Sequence, residues 1–323
     1  MMTETNWTFV SSFVNLDAYQ KGNPNVRLAK DYLQQAISTL QIPVPLLLFI
    51  STDMVSIVEE KIKGRAYPTK IVPFEFESLI TFQQYEKVCA NRQAPEFKPM
   101  YDTSRNTPSF SITTIAKFEF MNLATILDPF KSSMFAWIDF HYGHVDKQYS
   151  LELLQKQVAR ITSYPIDYWS RTKYHFGLID WIPTSHYKNK RLYYRTDSIR
   201  TTFAGGFHFG PREVIPKLAE AILKEYEETV AQGLGHAEEQ VMYYVYHHCP
   251  SMFHVFPCDY YSIIFNVILP TRDIGCTLNN LLPHLLEDKQ YGLVRNITSQ
   301  LLQSHSNGLI NLPESFFAIY CKY

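Results

Sequence analysis

The first 140 residues of the sequence alternate between short apolar runs and stretches with helical periodicity. The apolar, β-branched runs stand at residues 7–14, 44–51, 69–76 and 132–140, and apolar residues at spacings of three and four mark the helices between them, at residues 26–40, 54–64 and 111–127. This order of strand and helix predicts an α/β sandwich with a mostly parallel central sheet. Pro73 favours an edge position for the third strand because proline cannot donate to a ladder of hydrogen bonds.

The second half of the chain is less regular. Residues 200–210 predict a strand, and residues 211–233 and 236–250 predict two helices, the first opened by Pro211 and ended by Gly233. Residues 147–198 are rich in aromatics and show no clear period. We expect residues 1–270 to form the main domain and residues 271–323 a mostly helical C-terminal extension that packs on the core.

Composition excludes several classes of protein. The chain is 46% hydrophobic, which is enough for a real core, and its net charge of -1 gives no electrostatic case for binding nucleic acid. No apolar run is long enough to span a bilayer. Five cysteines without a C-x-x-C pair, together with the absence of a secretory signal, predict reduced thiols and a cytoplasmic location.

Glycine is scarce, and this limits how the chain could hold a phosphate. The 12 glycines form neither G-x-G-x-x-G nor G-x-x-x-x-G-K-[ST], so the two commonest loops that bind phosphate through backbone amides are missing. A diphosphate ligand would therefore need a cation or basic side chains to neutralise it.

The segment "FAWIDFHYGHV", residues 135–145, places an acid at the end of a strand that reads as buried. Ligands of parallel sheets bind beyond the carboxyl ends of the strands. At the period of a strand, Asp139 and His141 share one face, from which both could reach a divalent ion. The alternative is an ordinary aspartate that caps the following turn.

Three further motifs are candidates for chemistry. Lys117 lies in the middle of an apolar helix, although a solvated lysine is equally compatible with the pattern. Gly205 and Gly206 in "AGGFHFG" let the backbone approach a ligand closely, or form a bulge. Glu238 and Glu239 open a helix, where they either present a carboxylate to an acceptor hydroxyl or complement the helix dipole.

These strings together resemble the HtrL/YibB (WlaTC-type) family of glycosyltransferase-like proteins. The resemblance runs over residues 7–267 and includes the Trp-Ile-Asp-Phe string, the upstream lysine helix, the Gly-Gly strand, the paired acids and an Asp-Tyr-Tyr segment before an asparagine. The sequence departs from the family pattern at three positions, because His141, Glu238 and Cys258 stand where the family has Gly, Asp and Gly.

The resemblance implies a GT-A-like (Rossmann-like) fold and transfer of a sugar from a nucleotide-diphosphate sugar, a UDP-sugar, to a hydroxyl of a glycan or glycoconjugate, with Mn²⁺ or Mg²⁺. It implies a donor site of Arg27, Lys117, Asp139, Gly205 and Gly206, a metal site of Asp139, His141 and Asp259, and a catalytic pair of Glu238 and Glu239. Two alternatives remain open: a glycan- or protein-binding module without activity, and another metal-dependent nucleotide enzyme such as a nucleotidyltransferase or a pyrophosphohydrolase.

Overall fold

One sheet organises the molecule. The computed structural model describes residues 6–94, 106–144, 150–169, 171–186, 194, 202–234 and 238–322. Within these residues the sheet has seven strands in the order β3-β2-β1-β4-β6-β5-β7. The strands are β1 (Trp7–Phe13), β2 (Leu46–Ser51), β3 (Thr69–Phe74), β4 (Met134–Ile138), β5 (Tyr174–Leu178), β6 (Phe203–Pro211) and β7 (Phe253–Pro257).

One strand, β6, breaks the parallel order of the sheet. Strands β1 to β4 are mutually parallel, and β5 runs parallel to β7, but β6 is antiparallel to both β4 and β5. The predicted α/β sandwich with a mostly parallel sheet is therefore confirmed. The predicted edge position of the strand that carries Pro73 is also confirmed, since β3 is the outermost strand on its side.

The helices cover both faces of this sheet. Their bounds are α1 (Ala29–Gln35), α2 (Ile37–Leu40), α3 (Val55–Ile62), α4 (Tyr85–Gln93), α5 (Pro108–Leu127), α6 (Leu151–Ser163), α7 (Ile215–Ala231), α8 (Glu238–His248), α9 (Ile263–Asn266), α10 (Leu282–Glu287), α11 (Tyr291–Ser306) and α12 (Glu314–Tyr320). A π-helical segment, Thr277–Leu281, leads into α10. No helix in the described part of the chain is long and apolar enough to cross a lipid bilayer.

Several predicted elements differ from the observed ones. The helix expected at residues 26–40 is divided into α1 and α2. Pro211 does not open a helix but ends β6, where it pairs with Met134, and α7 begins only at Ile215. Residues 147–198 contain α6 and β5, which were not predicted. Strand β5 is short and rich in aromatics, whereas α6 has no aromatic residue and carries apolar residues at helical spacing, Leu154, Val158 and Ile161. The predicted starts at residues 200–201 and 236–237 lie outside the described residues.

Each face of the sheet has its own core because strand side chains alternate. Val10 packs into the core that contains α5, α7 and α8, whereas its neighbour Phe9 packs into the core that contains α1, α3 and α6. The C-terminal helices join the first of these cores through Leu285, Leu301 and Phe316. The division of the chain near residue 270 stays a prediction, but the segment after it is helical and packs on the core.

Helix α5 explains how a lysine becomes buried. The side chain of Thr107 accepts a hydrogen bond from the backbone N–H of Phe110, and Pro108 occupies the first turn, so the start of the helix is well defined. The helix lies between the sheet and α7, which buries nearly all of its first four turns, Lys117 included. Its sequence is apolar on all sides for this reason.

Candidate functional site

Asp139 follows β4 directly and is fixed through both its backbone and its side chain. The backbone N–H donates to the carbonyl of Gly206 at 3.0 Å, and the backbone carbonyl accepts from Thr39 Oγ1 at 2.7 Å. The indole N–H of Trp137 donates to Asp139 Oδ1 at 2.8 Å. The carboxylate is thus held at the carboxyl end of a parallel strand, as the sequence predicted.

Lys117 joins this carboxylate to a second one. Its Nζ lies 3.1 Å from Asp139 Oδ1 and 2.7 Å from Glu238 Oε1, and it donates to the carbonyl of Gly205 at 3.1 Å. A lysine ammonium has three donors, and these three acceptors match them. We call Lys117, Asp139 and Glu238 the buried triad, because their side chains are only 8%, 15% and 5% exposed.

The electrostatics keep Lys117 charged. Burial by itself would lower the pKa of Lys117, but the negative charges of Asp139 and Glu238 outweigh it and raise the pKa well above the usual value. Lys117 is therefore a permanent cation at neutral pH. The solvated-lysine interpretation is wrong, because the side chain is enclosed between α5, β6 and α8.

The two glycines of β6 differ in what they permit. A Cβ on Gly205 would stand 2.7 Å from Glu238 Oε1, too close for any side chain, so the triad requires glycine there. A Cβ on Gly206 would meet Asp139 Oδ2 at 3.6 Å, an ordinary contact. The pairing of β5 with β6 is irregular over this stretch, so the glycines lie in a bulge and also approach the functional groups.

A cavity of about 770 Å³ opens above the triad. Ligand pockets in proteins commonly have volumes of roughly 300–1,000 Å³. Its charged lining residues are Arg27, Lys117, Asp139, Glu238 and Glu239, and its aromatic lining includes Tyr32, Tyr260 and Tyr261. Three carboxylates thus face two basic groups, and the cavity floor is acidic.

Eight of the nine predicted site residues line this cavity. They are Arg27, Lys117, Asp139, His141, Gly205, Gly206, Glu238 and Glu239. Asp259 is absent from the described lining, and its Oδ2 instead accepts a hydrogen bond from the backbone N–H of Cys276 at 3.1 Å. It fastens the chain at the start of the C-terminal helical segment. The donor-binding and catalytic roles of the eight stay predictions.

The predicted metal ligands are not gathered into one site. Among the described residues, no group of three or more His, Cys, Asp or Glu side chains is arranged to hold a metal ion. Asp139 Oδ1 already accepts from Lys117 and Trp137. The described residues therefore do not fit a metal site formed by Asp139, His141 and Asp259.

The placement of His141 by strand periodicity is wrong. Strand β4 ends at Ile138, and Tyr142–His144 form a 3-10 turn, so the alternation of side chains stops before His141. Its ring packs edge-on against Tyr32, with ring centroids 4.5 Å apart. His141 reaches the cavity from this turn rather than from the face of a strand.

Sequence reasoning missed the tyrosines of the cavity. Tyr260 is enclosed beside the acidic groups: burial raises its pKa above the usual value, and the charge of Glu239 raises it further. The "DYY" string at residues 259–261 contains this signal, since a tyrosine directly after a candidate acidic ligand can line the same cavity. Tyr32 comes from α1, where its helical spacing made it indistinguishable from a core residue.

One comparison with known proteins indicates a family. The sequence matches the family model described as "Bacterial protein of unknown function (HtrL_YibB)" over residues 46–268, more than half of the chain. The crystal structure of mouse xyloside xylosyltransferase 1 in its apo form has a TM-score of 0.40 and 11% identity, covering 77% of this chain and 84% of that one. No curated protein matches the sequence.

Proposed function

The chain belongs to the HtrL_YibB family, and on that premise we propose that it is a glycosyltransferase. The donor is a nucleotide-diphosphate sugar, a UDP-sugar, and the acceptor is a hydroxyl of a glycan or glycoconjugate. The observation that carries the proposal is the buried triad on the floor of the cavity. The mostly parallel sheet agrees with the GT-A-like fold that the family resemblance implies.

The energetics of the triad support a functional interpretation. Replacing a buried ion pair by apolar residues of similar volume is often neutral or stabilising, so a buried pair is weak evidence for stability. Here one ammonium faces two carboxylates at the bottom of an open cavity. Strongly perturbed charges in a cleft are typical of functional sites.

The two glutamates have different environments, and we assign them different roles. Glu238 is held by Lys117 at 2.7 Å and is almost fully buried, so it positions the cation. Glu239 is half-buried and lines the cavity next to Gly205 and Tyr260. In an inverting reaction Glu239 is therefore the carboxylate that accepts the proton of the acceptor hydroxyl.

The reaction then proceeds in one displacement. The acceptor oxygen forms a bond to C1 of the donor sugar while its proton passes to Glu239, and the bond between C1 and the diphosphate oxygen breaks with its electron pair on the leaving diphosphate. In a retaining reaction the same carboxylate orients the sugar. The ammonium of Lys117 fixes Asp139 and Glu238 around this centre in either case.

The charges that line the cavity affect how it can bind the diphosphate of a donor. Three carboxylates and a diphosphate repel each other, and the three donors of Lys117 already have acceptors. Besides Lys117, the basic side chains of the described lining are Arg27 and His141. A requirement for Mn²⁺ or Mg²⁺ stays a prediction from the family resemblance, which the binding experiment below tests directly.

Thermal unfolding with nucleotides tests the proposal. We expect UDP or a UDP-sugar to raise the melting temperature, since a ligand at 100 times its Kd stabilises the native state by about 2.7 kcal/mol. The series includes UDP and GDP, each with Mn²⁺, with Mg²⁺ and with EDTA. Asp139→Asn should abolish the shift, whereas the exposed Glu220→Gln serves as the matched control. The absence of any nucleotide response in the wild type would contradict the proposal.

A glycan-binding module without activity is the second candidate. The observation that favours it is Tyr261, which lines the cavity although it is 50% exposed and so presents an aromatic face at the rim. Release of free sugar from a UDP-sugar separates the candidates, because a binding module releases none. Binding of oligosaccharides without any nucleotide response would favour the module.

A further inference from the structure

A stack of aromatic rings lies directly behind the cavity floor. His208 of β6 is fully buried and stands opposite Trp137 of β4 in the antiparallel ladder. The imidazole is within 13° of parallel to the Trp137 ring, with centroids 6.3 Å apart, and within 9° of parallel to the ring of Phe118, at 5.5 Å. The three rings form layers that link β6, β4 and α5.

Tyr174 of β5 holds the imidazole in this plane. Its hydroxyl lies 2.8 Å from Nδ1 of His208. The Tyr174 ring reaches that position only because residue 210 is glycine, since a Cβ on Gly210 would overlap the ring. The third glycine of "AGGFHFG" thus makes room for the residue that orients the histidine of the same motif.

The stack continues into the buried triad. The indole N–H of Trp137 donates to Asp139 Oδ1 at 2.8 Å, and the same oxygen lies 3.1 Å from Lys117 Nζ. The plane of the indole therefore sets the direction from which one hydrogen bond reaches this carboxylate. Any tilt of the indole changes how Asp139 faces the cavity.

Stability accounts for only part of the choice of a histidine at this position, because Nδ1 pairs with the buried hydroxyl of Tyr174 but the second ring nitrogen is left over. Burial lowers the pKa of His208 far below its usual range, and the charge of Lys117 lowers it further, so the ring is neutral. Among the described residues, Nε2 of His208 has no hydrogen-bond partner. A buried polar atom without a partner costs stability that an apolar side chain would not cost.

We propose that His208, anchored by Tyr174, is a positioning residue that fixes the indole of Trp137 and thereby the carboxylate of Asp139. The chain of contacts runs from Tyr174 through His208 and Trp137 to the triad. The effect on donor binding rests on the proposed function, whereas the positioning itself does not.

The indole N–H signals of the protein test the positioning without any ligand. The chain has four tryptophans, so a ¹⁵N-labelled sample gives four indole resonances, and Trp137→Phe identifies one of them. We expect Tyr174→Phe and His208→Leu to move the Trp137 resonance upfield, because its hydrogen bond to Asp139 weakens. The Trp181 resonance is the internal control, since Trp181 makes the same kind of bond, 2.8 Å to Asp288, elsewhere in the fold.

The affinity for UDP tests whether this positioning affects donor binding. We expect His208→Leu to weaken the Kd for UDP at least fivefold, measured by calorimetry with Mn²⁺ present. In the Trp137→Phe background the same substitution should have no further effect, because the two residues act through one hydrogen bond. A merely structural histidine would instead shift the melting temperature and leave Kd unchanged.

The outcomes separate the two proposals. An unmoved Trp137 resonance in both variants overturns the positioning role, and Tyr174→Phe decides alone if His208→Leu does not fold. A moved resonance with unchanged or additive Kd values overturns its link to the donor. If the wild type binds no nucleotide, the proposed function fails while the indole signals still decide the positioning.

Discussion

Lys117 and Glu238 are 121 positions apart in the sequence, and yet Lys117 Nζ lies 2.7 Å from Glu238 Oε1. The contact joins α5 to the first turn of α8. The same ammonium group also contacts the carboxylate of Asp139, so one cation links two helices to the end of β4. The arrangement makes the site sensitive to changes at any of these three elements.

Removal of the cation should destabilise the fold. Lys117→Met leaves two buried carboxylates without their partner, and breaking such a pair costs about 3–5 kcal/mol. Urea unfolding measures the loss, and the exposed Lys217→Met is the matched control. The double variant Lys117→Met/Glu238→Gln should recover part of it, since one of the uncompensated charges is gone. Equal stability of Lys117→Met and the wild type would contradict the buried triad.

Gly205 and Gly206 of β6 should respond differently to the same added methyl group. Gly205→Ala forces Glu238 away from Lys117, and overpacking of this kind typically costs about 1–3 kcal/mol. Gly206→Ala meets only an ordinary contact with Asp139 Oδ2 and should unfold close to the wild-type temperature. Differential scanning calorimetry of the two variants measures the change in melting temperature. A larger decrease for Gly206→Ala than for Gly205→Ala would refute the prediction.

We expect substitution of Glu239 to lower the reaction rate and substitution of Glu238 to lower the stability of the fold. We expect Glu239→Gln to lower kcat by about 10²–10⁴-fold, the usual contribution of a general base, with little change in KM or melting temperature. Glu238→Gln should lower the melting temperature, because it weakens the ion pair with Lys117. Initial rates of sugar transfer, or of donor hydrolysis, measure the first effect. If Glu239→Gln transferred sugar at the wild-type rate, Glu239 would not be the general base.

Acid should weaken the fold partly through His247. Burial lowers the pKa of His247 to about 3, below the ordinary value for histidine of about 6.5. The unfolded state therefore binds the proton first, so the stability that the neutral ring contributes is present above about pH 6.5 and is lost as pH falls toward 3. The loss reaches at most about 1.4 kcal/mol per pH unit.

His247→Gln is the variant that isolates this effect. Its unfolding free energy should depend less steeply on pH between about 6.5 and 4 than that of the wild type, as denaturant titrations at each pH would reveal. The exposed Gln303→Ala, which changes no titratable group, should leave the slope unchanged. Equal slopes in His247→Gln and the wild type would contradict the prediction.

The sequence predicted some parts of the fold well for a physical reason. Strands β1, β2 and β4 are visible as short apolar runs, and helix α5 as a longer one, because both faces of each are buried and the length of the run separates strand from helix. Strand β5 was missed because its run is short and rich in aromatics. Helix α6 has a readable helical period, Leu154, Val158 and Ile161, and was overlooked because it lies within the aromatic-rich stretch of residues 147–198. His141 was misplaced because the pattern does not reveal that β4 ends at Ile138, two residues before Phe140.

The sequence by itself determined the alternation of strands and helices, the position of Asp139 at a strand end and the need for something other than a glycine loop to meet a phosphate. These properties are local and follow from residue type and spacing. Only the tertiary structure decided that Lys117, Asp139 and Glu238 share one charge cluster and that Asp259 stands apart from it. The antiparallel insertion of β6 beside β4 creates that cluster, because it brings Gly205 and the start of α8 against α5, and such long-range pairing is not encoded in any single stretch of residues.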